Sequence, residues 1–171
     1  MNKFKIKNNY LNIESKKDIF KGINDIKELQ KKVYEYILNG NKNFSYIIDK
    51  INNKQIKFIR ISAKEYIYGI SNKKLQGKHY YEKMRMAPSI DDLIKNAYIT
   101  YYSPLMHKNS LFPNGFNNYQ GKVGIDNNIF QYIVRIGRSK NNESIFYDIY
   151  FEFLGEKNKV DNKVLRGKPR H

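Results

Sequence analysis

Three segments in the last third of the chain carry the pattern that most restricts its fold. Residues 117–125, 129–138 and 144–154 read as strands, and the short links Asp126-Asn127-Asn128 and Lys140-Asn141-Asn142 separate them. Asparagine-rich links of this length are typical of antiparallel hairpins, because asparagine tolerates the backbone angles of tight turns. The sequence therefore predicts an antiparallel sheet at the C-terminal end.

Alternation within these strands assigns side chains to opposite faces. In the middle strand Phe130, Tyr132, Val134 and Ile136 share one face, with Gln131, Ile133 and Arg135 on the other. Successive residues of a strand point to opposite sides of a sheet. Arg135 is therefore expected away from the Phe130 face.

Helical signals come earlier in the chain. Three segments have N-terminal capping patterns that predict helices: Asp25-Ile26-Lys27-Glu28, Ser62-Ala63-Lys64-Glu65 and Ser89-Ile90-Asp91-Asp92. A weak strand is expected at residues 10–14, and residues 44–48 and 55–61 predict a hairpin around Asn52-Asn53. The predicted class is α+β, with helices mostly first and an antiparallel sheet last.

Positive charge dominates the composition. The 171 residues include 32 Lys and Arg against 16 Asp and Glu, which gives a net charge of +16. Between residues 73 and 85 the chain carries Lys73, Lys74, Lys78, Lys83 and Arg85 against the single acid Glu82, with His79, Tyr80 and Tyr81 among them. Clustered cations with stacking side chains suit a polyanion that carries bases, so the sequence predicts a nucleic-acid partner.

Several classes of chemistry lack support in the sequence. There is no cysteine, the three histidines lie far apart, and no glycine-rich phosphate loop is present. We therefore expect no metal site and no cofactor. No apolar run reaches the length of a membrane span.

RNA cleavage needs none of those groups. The ribose 2′-OH is an internal nucleophile, so a protein has only to move protons and stabilise the charge on the phosphate. The candidates for these roles are His79 as base or acid, Lys74, Lys78, Lys83 and Arg135 at the phosphate, His107 and Lys108 in the long loop of residues 103–115, and Tyr147 or Tyr150 for stacking or proton donation. The alternatives are a surface histidine in a charged helix, a mobile loop, and lysines that only add to the positive field.

From residue 61 onward the order of elements resembles the barnase/EndoU/colicin/RelE-like nuclease domains of phage polyvalent proteins and polymorphic toxins. The residues that carry the resemblance are the run from Ser62 to Ser71, the short helix from Ser89 to Ala97, Ile133-Val134-Arg135-Ile136 and Phe146-Tyr147-Asp148-Ile149. The resemblance covers residues 56–154. It implies helices packed on a four-stranded antiparallel sheet, as in barnase and RelE, and metal-independent RNA cleavage, with tRNA as one candidate substrate.

One position departs from that family's pattern. Family members usually have a histidine three residues before a serine in the first helix; here the serine matches Ser71, but Tyr68 occupies the histidine position. Tyrosine is a far weaker base at neutral pH. Three interpretations stay open: proton transfer has moved to His79, Tyr68 itself acts, or Tyr68 inactivates the domain.

The resemblance also implies an organisation and a context. Residues 56–154 would form the nuclease-like core and residues 155–171 a basic tail. Residues 1–55 lie outside the resemblance; their predicted strand, helix and hairpin form either a β-α-β extension that completes the fold or a separate docking element for delivery, and the sequence does not decide between the two. A toxin of this kind would act in the bacterial cytoplasm, be delivered as the C-terminal part of a larger secreted or phage protein, and need an acidic immunity protein or antitoxin. The alternative function is a non-catalytic nucleic-acid-binding module. A third class is an NAD-using transferase, which should show a nicotinamide-contacting Arg or a Ser-Thr-Ser set and a glutamate, and the sequence shows no convincing set of this kind.

Overall fold

The chain is built around one mixed sheet that curls into a half-barrel. The structure is a computed structural model, and it describes residues 10–44, 46–75, 77–104 and 111–158. In these ranges seven strands form the sheet: β1 (Leu11–Asn12), β2 (Ile48–Asp49), β3 (Lys54–Lys57), β4 (Ile99–Ser103), β5 (Phe116–Ile125), β6 (Asn128–Arg138) and β7 (Ser144–Glu156). The helices there are α1 (Ile26–Leu38), α2 (Gly40–Asn43), α3 (Arg60–Tyr68), α4 (Lys78–Arg85) and α5 (Ile90–Lys95), with 3-10 turns at Ile70–Lys74 and Ala87–Ser89.

The long strands β5, β6 and β7 are antiparallel neighbours in the middle of the sheet. Asp126 and Asn142, in the turns that join them, have positive φ angles of 52° and 60°. Aspartate and asparagine adopt this left-handed conformation more readily than other residues with a side chain. The antiparallel hairpins predicted at the C-terminal end are confirmed.

Strands from the N-terminal third extend this sheet on both sides. The strand order is β1-β5-β6-β7-β3-β2, and β4 also pairs with β5. β1 lies parallel to β5, and β3 lies parallel to β7. The boundary predicted at residue 55 falls inside β3, and the one predicted at residue 155 falls inside β7.

The predicted fold class is therefore wrong in its sheet. Instead of helices packed on a four-stranded antiparallel sheet, as in barnase and RelE, the described residues form a seven-stranded mixed sheet. Alternation along a strand identifies a buried face, but it carries no information about which strand lies alongside. The parallel pairings of β1 and β3 could not be read from the sequence for this reason.

Local signals explain why the helices form where they do. The Asp25 carboxylate accepts a hydrogen bond from the Lys27 backbone N–H at 3.1 Å, and Leu29, Val33 and Ile37 form the fully buried face of α1. Helix α1 is thus confirmed.

Helix α3 begins at Arg60, earlier than a cap at Ser62 would give. The Ser62 hydroxyl accepts a hydrogen bond from the Ile59 backbone N–H at 3.0 Å and donates one to the Phe146 carbonyl oxygen. This side chain therefore closes the first turn of α3 and fastens the helix to β7.

Three tyrosines are fully buried in the core, and each hydroxyl has a partner. Tyr132 donates to the Leu93 carbonyl oxygen at 2.6 Å, Tyr119 donates to Asp49 Oδ1 at 2.6 Å, and Tyr66 donates to the Lys83 carbonyl oxygen. A buried hydroxyl without a partner would cost stability. Three of the 15 tyrosines are therefore buried core residues with satisfied hydroxyl groups.

Candidate functional site

A groove runs beside the unpaired part of β7. Strand β3 pairs with β7 only at Ser144 and Ile145, and further along that edge no strand of the described chain lies beside β7. The groove has a volume of about 370 Å³. The residues that line it include Lys74, His79, Gln131, Ile133, Tyr150 and Phe153.

His79 is held in the groove wall by aromatic rings and a buried carboxylate. Its ring stacks on Phe153 with 4.2 Å between the ring centroids, and Phe130 meets it edge-on at 5.4 Å. Nδ1 of His79 lies 3.1 Å from Oε1 of Glu82, one turn further along α4. Glu82 is fully buried and also accepts a hydrogen bond from Asn128 Nδ2 at 2.8 Å.

This geometry assigns different roles to the two ring nitrogens of His79. Because a carboxylate accepts hydrogen bonds, Nδ1 carries the proton that faces Glu82. Nε2 is then the nitrogen that can exchange a proton with a bound molecule. The half-buried imidazole is therefore a candidate for acid–base chemistry.

Lys74 and Tyr150 bring a cation and a phenol to the same groove. Lys74 is exposed at the end of the first 3-10 turn. Tyr150 is 40% exposed and lies opposite Ile133 in the register of β6 and β7. A cation offsets phosphate charge, and an exposed ring can stack on a base, so the groove can contact both the phosphate and the base of a nucleotide.

A buried ion pair lies next to the groove, two residues before Tyr150 on β7. The Lys83 ammonium donates to Asp148 Oδ1 at 3.1 Å and to the Asn72 side-chain oxygen at 2.5 Å, while the Ser71 hydroxyl donates to Asp148 Oδ2. Burial lowers the pKa of Lys83, and the charge of Asp148 opposes that change. These contacts hold the first 3-10 turn and α4 against β7.

Glu65 on α3, Tyr147 on β7 and Arg135 on β6 form a third group. Burial raises the pKa of the Glu65 carboxyl and the nearby Asp148 charge adds to the rise, whereas a hydrogen bond with Tyr147 opposes it. Burial also raises the pKa of the Tyr147 phenol. The Arg135 guanidinium lies 4.0 Å from the centroid of the Phe116 ring, so the sheet fixes the position of this cation.

Comparison with known proteins identifies a family. The family model described as large polyvalent protein-associated domain 3 matches residues 24–150. The chain belongs to this family. A search of curated proteins and a search of solved structures each found no match.

The predicted connection with polyvalent proteins is thus confirmed at the level of a polyvalent-protein-associated domain. The matched range of this domain contains Lys74, His79, Gln131, Ile133 and Tyr150, and it stops before the last part of β7.

The predicted site residues lie in different parts of this polyvalent-protein-associated domain. Lys74, His79 and Tyr150 meet in the groove. Ser71 and Lys83 are buried in the ion-pair network, where their side chains already have partners. Arg135 and Tyr147 lie further along β6 and β7.

Other predicted residues lie outside the groove. Tyr68 is 68% exposed and lines a different groove together with Lys73, and Lys78 is exposed at the first position of α4. Arg85 is buried between Asp18 and Asp126, which neutralise it. His107 and Lys108 lie outside the described residues.

Sequence reasoning missed Glu82 and Gln131. Glu82 had a usable signal, because His79 and Glu82 stand three residues apart in a segment predicted to be partly helical, and that spacing brings side chains together on one helix face. Gln131 had no signal beyond sharing a strand face with Arg135.

Two absences apply to the ranges that the structure describes. Within them, no group of three histidine, cysteine or acidic side chains could hold a metal ion. None of the helices described there is both long and apolar enough to cross a membrane.

Proposed function

We propose that this domain is an endoribonuclease that binds RNA in the groove beside β7 and cleaves it with His79. The observation that carries the proposal is the arrangement of His79, whose ring is fixed by Glu82 and Phe153 in a groove that also presents Lys74 and Tyr150. A histidine held in this way against a carboxylate is suited to proton transfer. The net charge of +16 favours a polyanionic substrate.

The proposed reaction uses the 2′-OH of the substrate. Nε2 of His79 accepts the proton of the ribose 2′-OH, and the 2′-oxygen attacks the phosphorus. The bond to the 5′-oxygen breaks, and that oxygen takes a proton from water, which leaves a 2′,3′-cyclic phosphate and a 5′-hydroxyl. Lys74 offsets the negative charge that develops on the phosphate, and Tyr150 stacks on a base.

The same proposal covers the biological context. The domain acts on RNA in the bacterial cytoplasm as a toxin within a larger polyvalent protein, and an acidic immunity protein or antitoxin neutralises it. The support for this context is the match to a polyvalent-protein-associated domain together with the basic charge of the chain. The proposed reaction assigns no step to Tyr68, which lines a different groove from His79.

The test is cleavage of end-labelled total RNA in EDTA by the purified domain and its variants. His79→Ala should lower the cleavage rate by about a hundredfold or more, which is the usual contribution of a general acid or base. Lys74→Ala should lower it less. Lys32→Ala removes the same charge from a different groove, beside α1, and should leave the rate unchanged.

Two results would contradict the proposal. One is intact RNA after incubation with a folded wild-type domain that binds it. The other is a folded His79→Ala variant that cleaves as fast as wild type. A large gain in cleavage from Tyr68→His would indicate that the reaction takes place in the groove lined by Tyr68 rather than in the groove lined by His79.

A non-catalytic RNA-binding module is the second candidate function. The observation that favours it is the aromatic packing of His79, because the same contacts with Phe130 and Phe153 also stabilise the fold. RNA that binds in a salt-dependent manner without being cut would support this candidate.

A further inference from the structure

The groove opens onto one face of the sheet, and that face carries aromatic and cationic side chains in register. Gln131, Ile133 and Arg135 alternate along β6, and β7 places Tyr150 directly opposite Ile133. Strand β5 places Lys122 opposite Gln131. Directly paired residues point to the same side of a sheet, so these side chains share one face.

The same face continues to the edge strand β4. Tyr101 pairs with Asn118, and Asn118 pairs with Arg135, so the Tyr101 ring belongs to this face as well. Tyr101 is 39% exposed and Tyr150 is 40% exposed, so part of each ring is accessible on this face. We call the surface formed by Tyr101, Lys122, Gln131, Arg135 and Tyr150 the open face.

The spacing of the two rings suits a chain of bases. β4 and β7 are three strand intervals apart, and the register offsets the two residues by two positions, so their backbones lie roughly 16 Å apart measured along the curled sheet. Between them, in the register of β5 and β6, lie Arg135, whose guanidinium is fixed over Phe116, and Ile133. Lys122 is exposed on the same face, opposite Gln131.

We infer that the open face binds single-stranded RNA, with bases stacked on Tyr101 and Tyr150 and the phosphates near Arg135 and Lys122. This inference deepens the proposed function, since it names the class of RNA that the groove would receive. Exposed rings can stack only on unpaired bases, because the bases of a duplex already stack on one another. The same face also carries two acids, Asp148 opposite Arg135 and Glu152 opposite Gln131. Asp148 is paired with the buried Lys83, so the charges of Arg135 and Lys122 outnumber that of Glu152 and can contact the phosphate backbone.

The test is the affinity for a fluorescent single-stranded RNA 12-mer, measured by anisotropy in the His79→Ala background so that cleavage does not interfere. Tyr101→Ala and Tyr150→Ala should each weaken binding by between about five- and a hundredfold, the range found for the loss of one stacked base. Tyr46→Ala is the matched control, because Tyr46 is 65% exposed and precedes β2 at the other end of the sheet. Its affinity should equal that of the background protein.

Two further measurements sharpen the test. Lys122→Ala should reduce the slope of log affinity against log salt by about 0.7, as expected for the loss of one phosphate contact to a single strand. The same 12-mer annealed into a duplex should bind more weakly than the single strand and should be insensitive to Tyr101→Ala.

The outcomes separate this inference from the proposed function. If His79→Ala abolishes cleavage but Tyr101→Ala binds like Tyr46→Ala, the open-face site is refuted and the ribonuclease stands. If the wild type never cleaves RNA but both tyrosine variants lose affinity, the site stands and the ribonuclease fails. Equal binding of duplex and single strand would also refute the site.

Discussion

The substitution Asp148→Asn removes the carboxylate charge that is hydrogen-bonded to the Lys83 ammonium. The change keeps the size of the side chain and leaves an oxygen that can accept from Ser71. Lys83 stays 1% exposed, so its charge cannot turn to water without a rearrangement of α4. Breaking a buried ion pair by removal of one partner typically costs about 3–5 kcal/mol, because the remaining charge is buried without compensation.

Urea denaturation followed by circular dichroism measures this loss. With a slope of about 2 kcal/mol per molar urea for a domain of this size, the midpoint should fall by about 2 M. The double variant Lys83→Met, Asp148→Asn removes both charges and should recover most of the loss, since neither charge then stays buried alone. Glu143→Gln is the control, because it breaks the exposed pair with Lys57 and should barely move the midpoint.

Two results would refute this reasoning. In the first, Asp148→Asn unfolds at the same urea concentration as the Glu143→Gln control. In the second, the double variant is destabilised by the sum of the two single substitutions, which would mean that the two side chains act independently.

Three more predictions concern pH and packing. Arg85 lowers the pKa of Asp126, so the stability from this carboxylate is present at neutral pH and is lost as pH falls below about 4; urea midpoints of Asp126→Asn should therefore be lower than wild type at pH 7 and should fall less on acidification. The raised pKa of Glu65 has the opposite effect on stability, because the folded state disfavours the ionised carboxylate and loses stability as pH rises through the pKa of this group. Glu65→Gln should therefore be more stable than wild type at pH 7, and an equal or lower urea midpoint would contradict this. Gly137→Ala would place a Cβ in steric overlap with the Phe112 ring, so the melting temperature of this variant should fall by an amount equivalent to about 1–3 kcal/mol, and an unchanged melting temperature would show that the ring moves aside freely.

The parts of the fold that local signals determine could be predicted from the sequence. The stripe Leu29, Val33 and Ile37 and the cap at Asp25 identify α1, and turn residues such as Asn142 mark the hairpins. Capping, periodicity and turn geometry depend on neighbours in sequence, so one chain is enough to recognise them.

The mixed sheet depends on partners that are far apart in sequence. The pairing of Ile56 with Ser144 joins residues separated by most of the domain, and neither segment contains a local signal that identifies its partner strand. The resemblance that implies a four-stranded sheet covers only residues 56–154, so it carries no information about where β1 and β2 pair.

The candidate site could be predicted in part for the same reasons. His79, Lys74 and Tyr150 stand out by residue type, and the structure places all three in one groove. Lys83 and Arg85 look identical to free cations in a sequence, because only the fold shows that Asp148 and Asp18 neutralise them.

The parallel pairing of β3 with β7 also bears on how the chain is made. A ribosome releases the N-terminal part first, so β3 emerges several seconds before its neighbour at typical rates of about 5–20 residues per second. During that interval Ile56, which is buried in the finished domain, has no sheet to join. A nascent chain of this protein is therefore vulnerable to proteases and to chaperone capture until synthesis has passed residue 145, and fragments that end earlier should not accumulate in cells.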